Sequence, residues 1–396
     1  MITLNLDMIQ SIGIAILFLL IGRKLRKKIN ILEKYSIPSP VVGGLIFAII
    51  ALILKENNIA TFSFDMTLQN FFMTMFFTSV GFNASLKLLK QGGKKVVVFL
   101  IAASGLIFLQ NILAIVLAKP LGIDPLVAFM TGSTSLTGGH GTSAAITSTL
   151  NNEKAFTVAI TAATFGLIAG SILGGPIAKS LIEKKNLLAR PEDTFEENID
   201  ILKDKKPYLD GDKFAKAFFT ILLAMSIGTI FNLLFKKMGL NKLPYYLGPM
   251  IAAAIIRNLL DKYDKKEKVF DEITIVSDIS LNLFLAMALI NLKLWDLIDL
   301  AGPLIILLIA QVILAAVYVR YITFNMMGKD YDAAIIASGH IGFGMGATPN
   351  GITNMKTLCD KYRYSKIAFF TVPLVGALFI DFVNVTVITA FLSNLM

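Results

Sequence analysis

Two glycine-rich stretches interrupt the hydrophobic segments of this chain, and they limit its possible folds more than any other feature. The first is Thr137-Gly138-Gly139-His140-Gly141-Thr142, and the second runs from Gly339 to Pro349 with the sequence GHIGFGMGATP. Glycine has a free backbone and disfavours a regular helix. Inside a bilayer, non-helical backbone is tolerated only where it lines a polar cavity or is enclosed by protein. Paired, interrupted segments in corresponding halves of a chain therefore predict a transport site.

Close helix packing is the second interpretation of these stretches, because small residues commonly bring membrane helices together. A single G-x-x-x-G pattern would support nothing more. Here, however, each stretch also contains one of the only two histidines in the chain, His140 and His340. A histidine among small residues is either a packing group or a group that contacts substrate or senses protons, and the sequence leaves these roles open.

The composition identifies a membrane protein. Hydrophobic residues make up 55% and charged residues 16% of the 396 residues, and the mean hydropathy is +0.71. Soluble globular chains carry more charge and fewer long apolar runs. The net charge of +10 does not indicate a nucleic-acid partner, because Lys and Arg lie in short loops between apolar segments. We also find no catalytic motif, so an enzyme is not predicted.

The hydrophobic runs predict an all-α polytopic membrane protein made of two inverted five-helix repeats, each with a re-entrant hairpin. Residues 1–183 form the first repeat, with its hairpin near 126–150, and residues 214–396 form the second, with its hairpin near 331–356. Residues 184–213 form a polar cytoplasmic linker. The predicted spans are 8–22, 37–54, 69–88, 95–118, 155–182, 214–235, 243–260, 275–292, 301–325 and 365–393.

Charge placement predicts the orientation. Five crossings per half make the two halves enter the membrane from opposite sides. With both termini outside and the linker in the cytoplasm, 30 of the 37 Lys and Arg residues fall on the inner face, as the positive-inside rule requires. The lipid bilayer is thus the first predicted partner, and the cytoplasmic membrane is the predicted location.

One sequence offset aligns the two halves at several points. An offset of 206 places Gly122 and Asp124 on Gly328 and Asp330, Gly138 on Gly344, and Thr142 on Thr348. Three matches in one register indicate duplication.

The glycine breaks predict an anion site. The N-terminal end of a helix that starts at a break carries free N–H groups and a partial positive charge, so it binds anions without a lysine. Hydroxyl and amide groups nearby add donors. The predicted substrate site comprises Thr137, Gly138, Gly139, His140, Gly141, Thr142, His340, Gly342, Gly344, Gly346, Ala347, Thr348 and Asn350.

A single acidic residue predicts the ion site. Asp381 lies near the middle of the last hydrophobic span, where a carboxylate is costly unless it is paired or solvated. Asn384 follows one turn later on the same face, so the two side chains predict a cation site. A purely structural role for Asp381 is the alternative. Gln110, Asn111 and Gln311 are weaker ion-site candidates, since such amides also form interhelical hydrogen bonds.

Several motifs occur in order on both halves of the chain: Ile37-Pro38 through Gly43-Gly44, Leu136 through Thr142, Ala163 through Leu167, Gly174-Gly175-Pro176, Ser280 through Leu289, Gly339 through Pro349, and Phe379-Ile380-Asp381 with Val383-Asn384. In these motifs the chain resembles the bacterial sodium/glutamate symporter family over nearly its whole length. The resemblance implies Na⁺-coupled uptake of L-glutamate, with Na⁺ as the co-transported ion and no organic cofactor. It also implies a homodimer and an elevator-like displacement of the substrate.

Three other functions stay open on the residues alone. A symporter of another small carboxylate, such as citrate or malate, coupled to Na⁺ or H⁺, would use the same architecture. A channel would need a continuous polar pore, whereas the polar residues here lie between apolar runs. A membrane enzyme could use His140 and Asp381 as a pair.

Overall fold

The computed structural model describes residues 1–35, 37–150, 152–189, 210–238, 243–263, 270–293 and 300–395. These residues are mostly helical, which confirms the predicted helical membrane protein. Of the predicted linker, residues 190–209 lie outside the described residues. The last helix before them ends at Lys184, and the next begins at Gly211.

Among the described residues, nine α-helices precede the linker. They are α1 (Met8–Lys28), α2 (Asn30–Lys34), α3 (Ser39–Glu56), α4 (Thr67–Gly81), α5 (Leu86–Gln91), α6 (Gly93–Ala118), α7 (Pro125–Phe129), α8 (Gly139–Leu150) and α9 (Glu153–Lys184).

Nine more follow it. They are α10 (Gly211–Lys237), α11 (Leu247–Tyr263), α12 (Phe270–Leu289), α13 (Ala301–Tyr318), α14 (Phe324–Met326), α15 (Tyr331–Gly344), α16 (Thr348–Lys361), α17 (Lys366–Leu374) and α18 (Ile380–Leu395). A π-helical turn at Val319–Thr323 joins α13 to α14, and another at Val375–Phe379 joins α17 to α18.

Among the described residues, nine helices are long and apolar enough to cross a membrane. Each matches one of the ten predicted spans. The remaining span, 243–260, corresponds to α11, which has 17 residues. Since about 17 to 25 residues cross a bilayer, α11 lies at the short end of that range.

The prediction of an all-α protein needs one correction. Strands β1 (Ile2–Leu6) and β2 (Ala60–Phe64) pair in parallel, with Ile2 opposite Ala60 and Leu6 opposite Phe64. Phe62 and Phe64 pack edge-on against Phe47, with ring centroids 5.2 and 5.6 Å apart. The sequence pattern missed the sheet because each strand is only five residues long and its partner is nearly sixty residues away.

The long helices form two bundles. The first, which we call the scaffold bundle, consists of α1, α3, α4, α10, α11 and α12. The second, which we call the site bundle, consists of α6, α9, α13, α17 and α18 together with the short helices α7, α8, α15 and α16. Contact between the bundles runs along a seam where α8 faces α12 and α18 faces α4.

Both glycine stretches break a helix inside the site bundle. In the first broken segment, α7 is followed by irregular backbone until α8 begins at Gly139. In the second, α15 and α16 are separated by residues 345–347. A β-carbon on Gly342 would lie 2.5 Å from the Cα of Gly351, so only glycine lets α15 and α16 pack this closely.

The two broken segments also start alike. Asp124 and Asp330 are both N-caps whose side chains accept backbone N–H groups, at the start of α7 and α15 respectively. Each aspartate follows a glycine with positive φ, +66° at Gly122 and +115° at Gly328. These are the positions that the offset of 206 aligned in the sequence.

Candidate substrate and ion site

A cavity of about 250 Å³ lies on the seam, where both breaks come together. Ligand pockets for drug-sized molecules begin near ~300 Å³, so this cavity suits a small ligand. The scaffold bundle contributes mostly apolar side chains, and the site bundle contributes the polar groups. The scaffold residues in its lining are Pro38, Phe76, Leu281 and Leu285.

The two breaks face each other across the cavity. Gly139 has a φ of +61°, a conformation that only glycine adopts readily. A β-carbon there would lie 3.5 Å from the carbonyl oxygen of Gly346. The Thr137 hydroxyl also donates to the carbonyl oxygen of Gly344 at 3.2 Å. The glycines therefore bring the backbones of two distant segments into direct contact.

Each break starts a helix at the cavity wall. The first N–H groups of a helix have no acceptor within it, and in α8 they belong to Gly139, His140 and Gly141, all of which line the cavity. In α16 the N-cap is Ala347, which makes no side-chain capping hydrogen bond, and Thr348 follows it. Two partly positive helix ends therefore point to one cavity.

Gln110 on α6 holds the breaks in place. Its Nε2 donates to the carbonyl oxygen of Gly344 at 2.8 Å, and its Oε1 accepts from the Thr137 hydroxyl at 3.0 Å. Gln311 on α13 donates in turn to the main-chain carbonyl of Gln110 at 2.8 Å. Both glutamines are fully buried. These hydrogen bonds show that the two glutamines stabilise the backbone at the breaks.

The two histidines occupy different environments. His140 lines the cavity, and its Nε2 lies 2.9 Å from the hydroxyl of Thr164. That hydroxyl is also 2.9 Å from the carbonyl oxygen of Ile160. Because its one proton goes to the carbonyl, it accepts from Nε2–H of His140. The neutral imidazole then keeps Nδ1 as an acceptor.

His340 does not line the cavity. It packs between the rings of Phe99, Tyr318 and Phe343, with centroid distances of 5.2, 6.1 and 5.2 Å. Its Nδ1 is 2.9 Å from the Thr323 hydroxyl. This is the environment of a packing histidine, the other interpretation that the sequence allowed.

Asp381 is the only carboxylate among the cavity-lining residues that the structure describes. It follows the π-helical turn of the last span, where Thr348 donates to the carbonyl oxygen of Gly376 at 2.7 Å. Within the described part of the chain, the Asp381 carboxylate has no hydrogen-bond or ion-pair partner. Turns of this kind are frequent at functional sites in membrane and soluble helices.

Several oxygens beside Asn384 are buried without a partner. Asn384 donates through Nδ2 to the carbonyl oxygen of Ser133 at 3.1 Å. Among the described residues, its Oδ1 is unpaired, as are the hydroxyl oxygens of Ser133 and Thr134. Asn111 lies beside them, and its Oδ1 accepts the N–H of Ser133 at 2.9 Å. Buried polar atoms without partners are unusual and need an explanation such as an ion.

The structure thus brings together most of the predicted substrate residues. The cavity is lined by Thr137, Gly138, Gly139, His140, Gly141, Gly346, Ala347 and Thr348. It is not lined by Thr142, His340, Gly342, Gly344 and Asn350, which pack behind the breaks. Sequence reasoning missed the scaffold residues and the Ser133–Thr134 pair. Only the Ser133–Thr134 pair could have been found from the sequence, because it lies in the polar run GSTS just before the first break.

A membrane-spanning helical fold with two broken helices around one small cavity defines a protein of the transporter class. The chain belongs to the sodium/glutamate symporter family, whose sequence profile matches residues 4–364. The sodium/glutamate symporter of Escherichia coli (strain K12) is 38% identical over 393 residues, covering 98% of both chains. That of Haemophilus influenzae is 38% identical over 382 residues, covering 95% of this chain and 94% of the relative.

The solved sodium proton antiporter MjNhaP1 from Methanocaldococcus jannaschii is a more distant likeness. It aligns with 98% of both chains at 14% identity and a TM-score of 0.43.

Proposed function

We propose that this protein is a secondary active transporter that carries L-glutamate into the cell together with Na⁺. The observation that carries the proposal is the meeting of two helix N-termini with one carboxylate, unpaired among the described residues, in a single small cavity. The relatives that match nearly the full length of the chain are named sodium/glutamate symporters. Na⁺ is the co-transported ion, and no organic cofactor is needed.

The helix ends bind the two carboxylates of the substrate. The N–H groups at the start of α8 serve one carboxylate, and the main-chain N–H of Thr348 at the start of α16 serves the other. The ammonium group has three possible acceptors: Asp381, a carbonyl oxygen at a break, or a threonine hydroxyl. Nδ1 of His140 adds a fourth, since its neutral tautomer leaves that nitrogen free to accept.

Na⁺ binds between the last helix and the first broken segment. Hard cations take oxygen ligands, and Asp381, Asn384, Ser133 and Thr134 offer one charged and several neutral oxygens. Asn111 holds Ser133 in position, and Gln110 and Gln311 support the breaks beside it. A bound Na⁺ neutralises Asp381 and so favours an anionic substrate nearby. Coupling follows, because each ligand raises the affinity for the other by the same factor.

Transport requires the site bundle to move along the scaffold bundle. In this elevator-like mechanism, the two broken segments are re-entrant hairpins and the two halves are inverted repeats with outside termini. The matching Asp124 and Asp330 caps support the duplication. The seam supports the movement, because the scaffold side of the cavity is mainly apolar and makes few specific contacts. We further propose a homodimer, on the resemblance to the family.

A cross-link across the seam tests the movement. The Ser148 hydroxyl on α8 lies 3.4 Å from the sulfur of Met73 on α4, so we would join Ser148→Cys to Met73→Cys in a Cys359→Ser background. Oxidation should stop uptake and reduction should restore it. Each single variant, treated identically, is the control. Full uptake by the oxidised pair would rule out relative movement of the bundles.

Uptake into liposomes tests the function itself. We expect radiolabelled L-glutamate to accumulate with an inward Na⁺ gradient but not when K⁺ replaces Na⁺, and unlabelled glutamate rather than citrate to compete. The main alternative is a Na⁺- or H⁺-coupled symporter of a carboxylate such as citrate or malate. Competition by citrate, or accumulation driven by a proton gradient without Na⁺, would favour that alternative.

A further inference from the structure

A second cavity, of about 460 Å³, lies on the seam nearer to the two-stranded sheet. We call it the sheet-side cavity. Its lining is more polar than that of the central cavity and includes Gln69, Asn70, Ser148, Glu153, Asn291 and Lys293. Neither the predicted substrate site nor the predicted ion site includes any of these residues.

The same helices line both cavities. On α4, Gln69 lines the sheet-side cavity and Phe76 lines the central one; on α8, Ser148 and Gly141 are related in the same way. Each pair is seven residues apart, which is two helical turns, or about 10 Å. The sheet-side cavity therefore lies on the seam about 10 Å from the central site.

A pair of opposite charges lies at the sheet-side cavity. The Lys293 ammonium forms an ion pair with the Glu153 carboxylate, and the side chains are 36% and 60% exposed. Lys293 follows α12 of the scaffold bundle, and Glu153 begins α9 of the site bundle. The pair therefore bridges the two bundles and is open to solvent.

An unpaired acceptor lies in the same cavity. Gln69 is only 2% exposed, and within the described residues its Oε1 has no hydrogen-bond partner. An unpaired buried oxygen destabilises the protein, because it has lost its hydrogen bonds to water. A ligand with an N–H donor would remove that destabilisation.

We propose that the sheet-side cavity is a second binding site for a zwitterionic amino acid, which it holds before transfer to the central cavity. The α-carboxylate of the ligand pairs with Lys293, and its ammonium group pairs with Glu153 and donates to Gln69. A dicarboxylate without an ammonium group is disfavoured, because it meets Glu153 as a like charge and leaves Gln69 unpaired. The sheet-side cavity thus selects amino acids over plain dicarboxylates.

The proposal rests on the proposed function only for the identity of the ligand. Binding at this site needs no Na⁺, because Lys293 already supplies the positive charge. Binding also needs the two bundles in the arrangement seen here, because each contributes one of the charges. Binding without Na⁺ distinguishes the sheet-side cavity from the central site, where Na⁺ and substrate bind together.

Protection of an introduced thiol tests the site directly. Asn70 is exposed and lines the sheet-side cavity, so we would label Asn70→Cys in a Cys359→Ser background with a charged maleimide, in K⁺ medium without Na⁺. L-Glutamate should slow the labelling about three- to tenfold, as expected for screened ion pairs, whereas glutarate should not. Protection that requires Na⁺, or equal protection by glutarate, would overturn the proposal.

Charge variants test whether Lys293 and Glu153 bind a ligand or only form an ion pair that joins the two bundles, which we call a latch. Lys293→Met and Glu153→Gln should each abolish the Na⁺-free protection and raise the KM for glutamate uptake about three- to tenfold, with the maximal rate unchanged. The double variant Lys293→Glu with Glu153→Lys should restore part of the protection and lower the KM part of the way back. A zwitterion can bind to the exchanged charges in the reverse orientation. A changed maximal rate with intact protection would identify a latch and overturn the proposal.

The outcomes for the two proposals can be told apart. If wild-type protein shows no Na⁺-driven uptake of glutamate, the proposed function fails, and the labelling experiment still reports on the sheet-side cavity. If uptake is Na⁺-driven but glutamate never protects Asn70→Cys in K⁺ medium, only the further inference fails.

Discussion

Gly139 and Gly346 meet backbone to backbone: a β-carbon on Gly139 would lie 3.5 Å from the carbonyl oxygen of Gly346. The two residues are about two hundred positions apart, and each lies at the break of a different helix. Their contact places the N-terminal ends of α8 and α16 at one cavity. A side chain at Gly139 would be strained at its positive φ, and a large one would also occupy the space beside Gly346.

We therefore expect Gly139→Val to abolish transport without preventing membrane insertion. A branched side chain at φ +61° is strained by roughly 1 to 2 kcal/mol and fills the space beside Gly346. Uptake into liposomes and the amount of folded protein in detergent are the measurements. Gly175→Val is the matched control, because nothing lies within 4 Å of a β-carbon there. Normal uptake by Gly139→Val would show that the backbone contact is dispensable.

Asp381→Asn should weaken the Na⁺ dependence of uptake. Asparagine keeps the shape of the side chain but removes the charge that attracts the cation, so the Na⁺ concentration for half-maximal uptake should rise at least about tenfold, or ~1.4 kcal/mol. Asp278→Asn is the control, since Asp278 on α12 does not line the cavity. An unaltered Na⁺ activation curve for Asp381→Asn would remove Asp381 from the ion site.

Ser133→Ala should separate ion binding from folding stability. Its hydroxyl oxygen is buried and unpaired within the described residues, so deleting it should leave the melting temperature in K⁺ unchanged or slightly higher. The extra stabilisation that Na⁺ gives wild-type protein should shrink, because an ion stabilises only in proportion to its affinity. Ser338→Ala is the control, another buried, unpaired hydroxyl but on α15. Equal Na⁺ stabilisation in both variants would argue against a Ser133 ligand.

Gln110→Leu should destabilise the protein more than Gln311→Leu. Gln110 uses both side-chain atoms on the breaks, whereas Gln311 donates once and its Oε1 is unpaired among the described residues. We expect a loss of about 1 to 3 kcal/mol for Gln110→Leu and about 0 to 1 kcal/mol for Gln311→Leu. Thermal unfolding of the two purified variants measures the order. The reverse order would mean that Gln110 does not support the breaks.

A tag inserted near Asn198 should be reached only from the cytoplasm. Asn198 lies in the predicted linker, outside the described residues, and the prediction rests on the distribution of Lys and Arg. A tag near Asn58, in the turn between α3 and β2, should instead be reached from outside, which makes it the matched control. External labelling near Asn198 in intact cells would invert the predicted topology.

The sequence by itself determined the elements and their chemistry. Hydropathy located the spanning helices, glycine located both breaks, and the cost of a buried carboxylate singled out Asp381. Each of these is a local property, fixed by a residue and its near neighbours along the chain. The repeated Gly-x-Asp starts of the broken segments were visible for the same reason, since capping involves residues within one turn.

The tertiary structure alone decided how these elements are combined. The hydrogen bond from Gln110 to Gly344 joins residues 234 positions apart, and no local pattern encodes such a contact. For the same reason the sequence could not tell His140, which lines the cavity, from His340, which packs among aromatic rings. Phe76 and Leu281 look like any apolar residues of a membrane helix. They line the cavity only because two bundles pack along one seam, and that choice depends on the fit of whole surfaces.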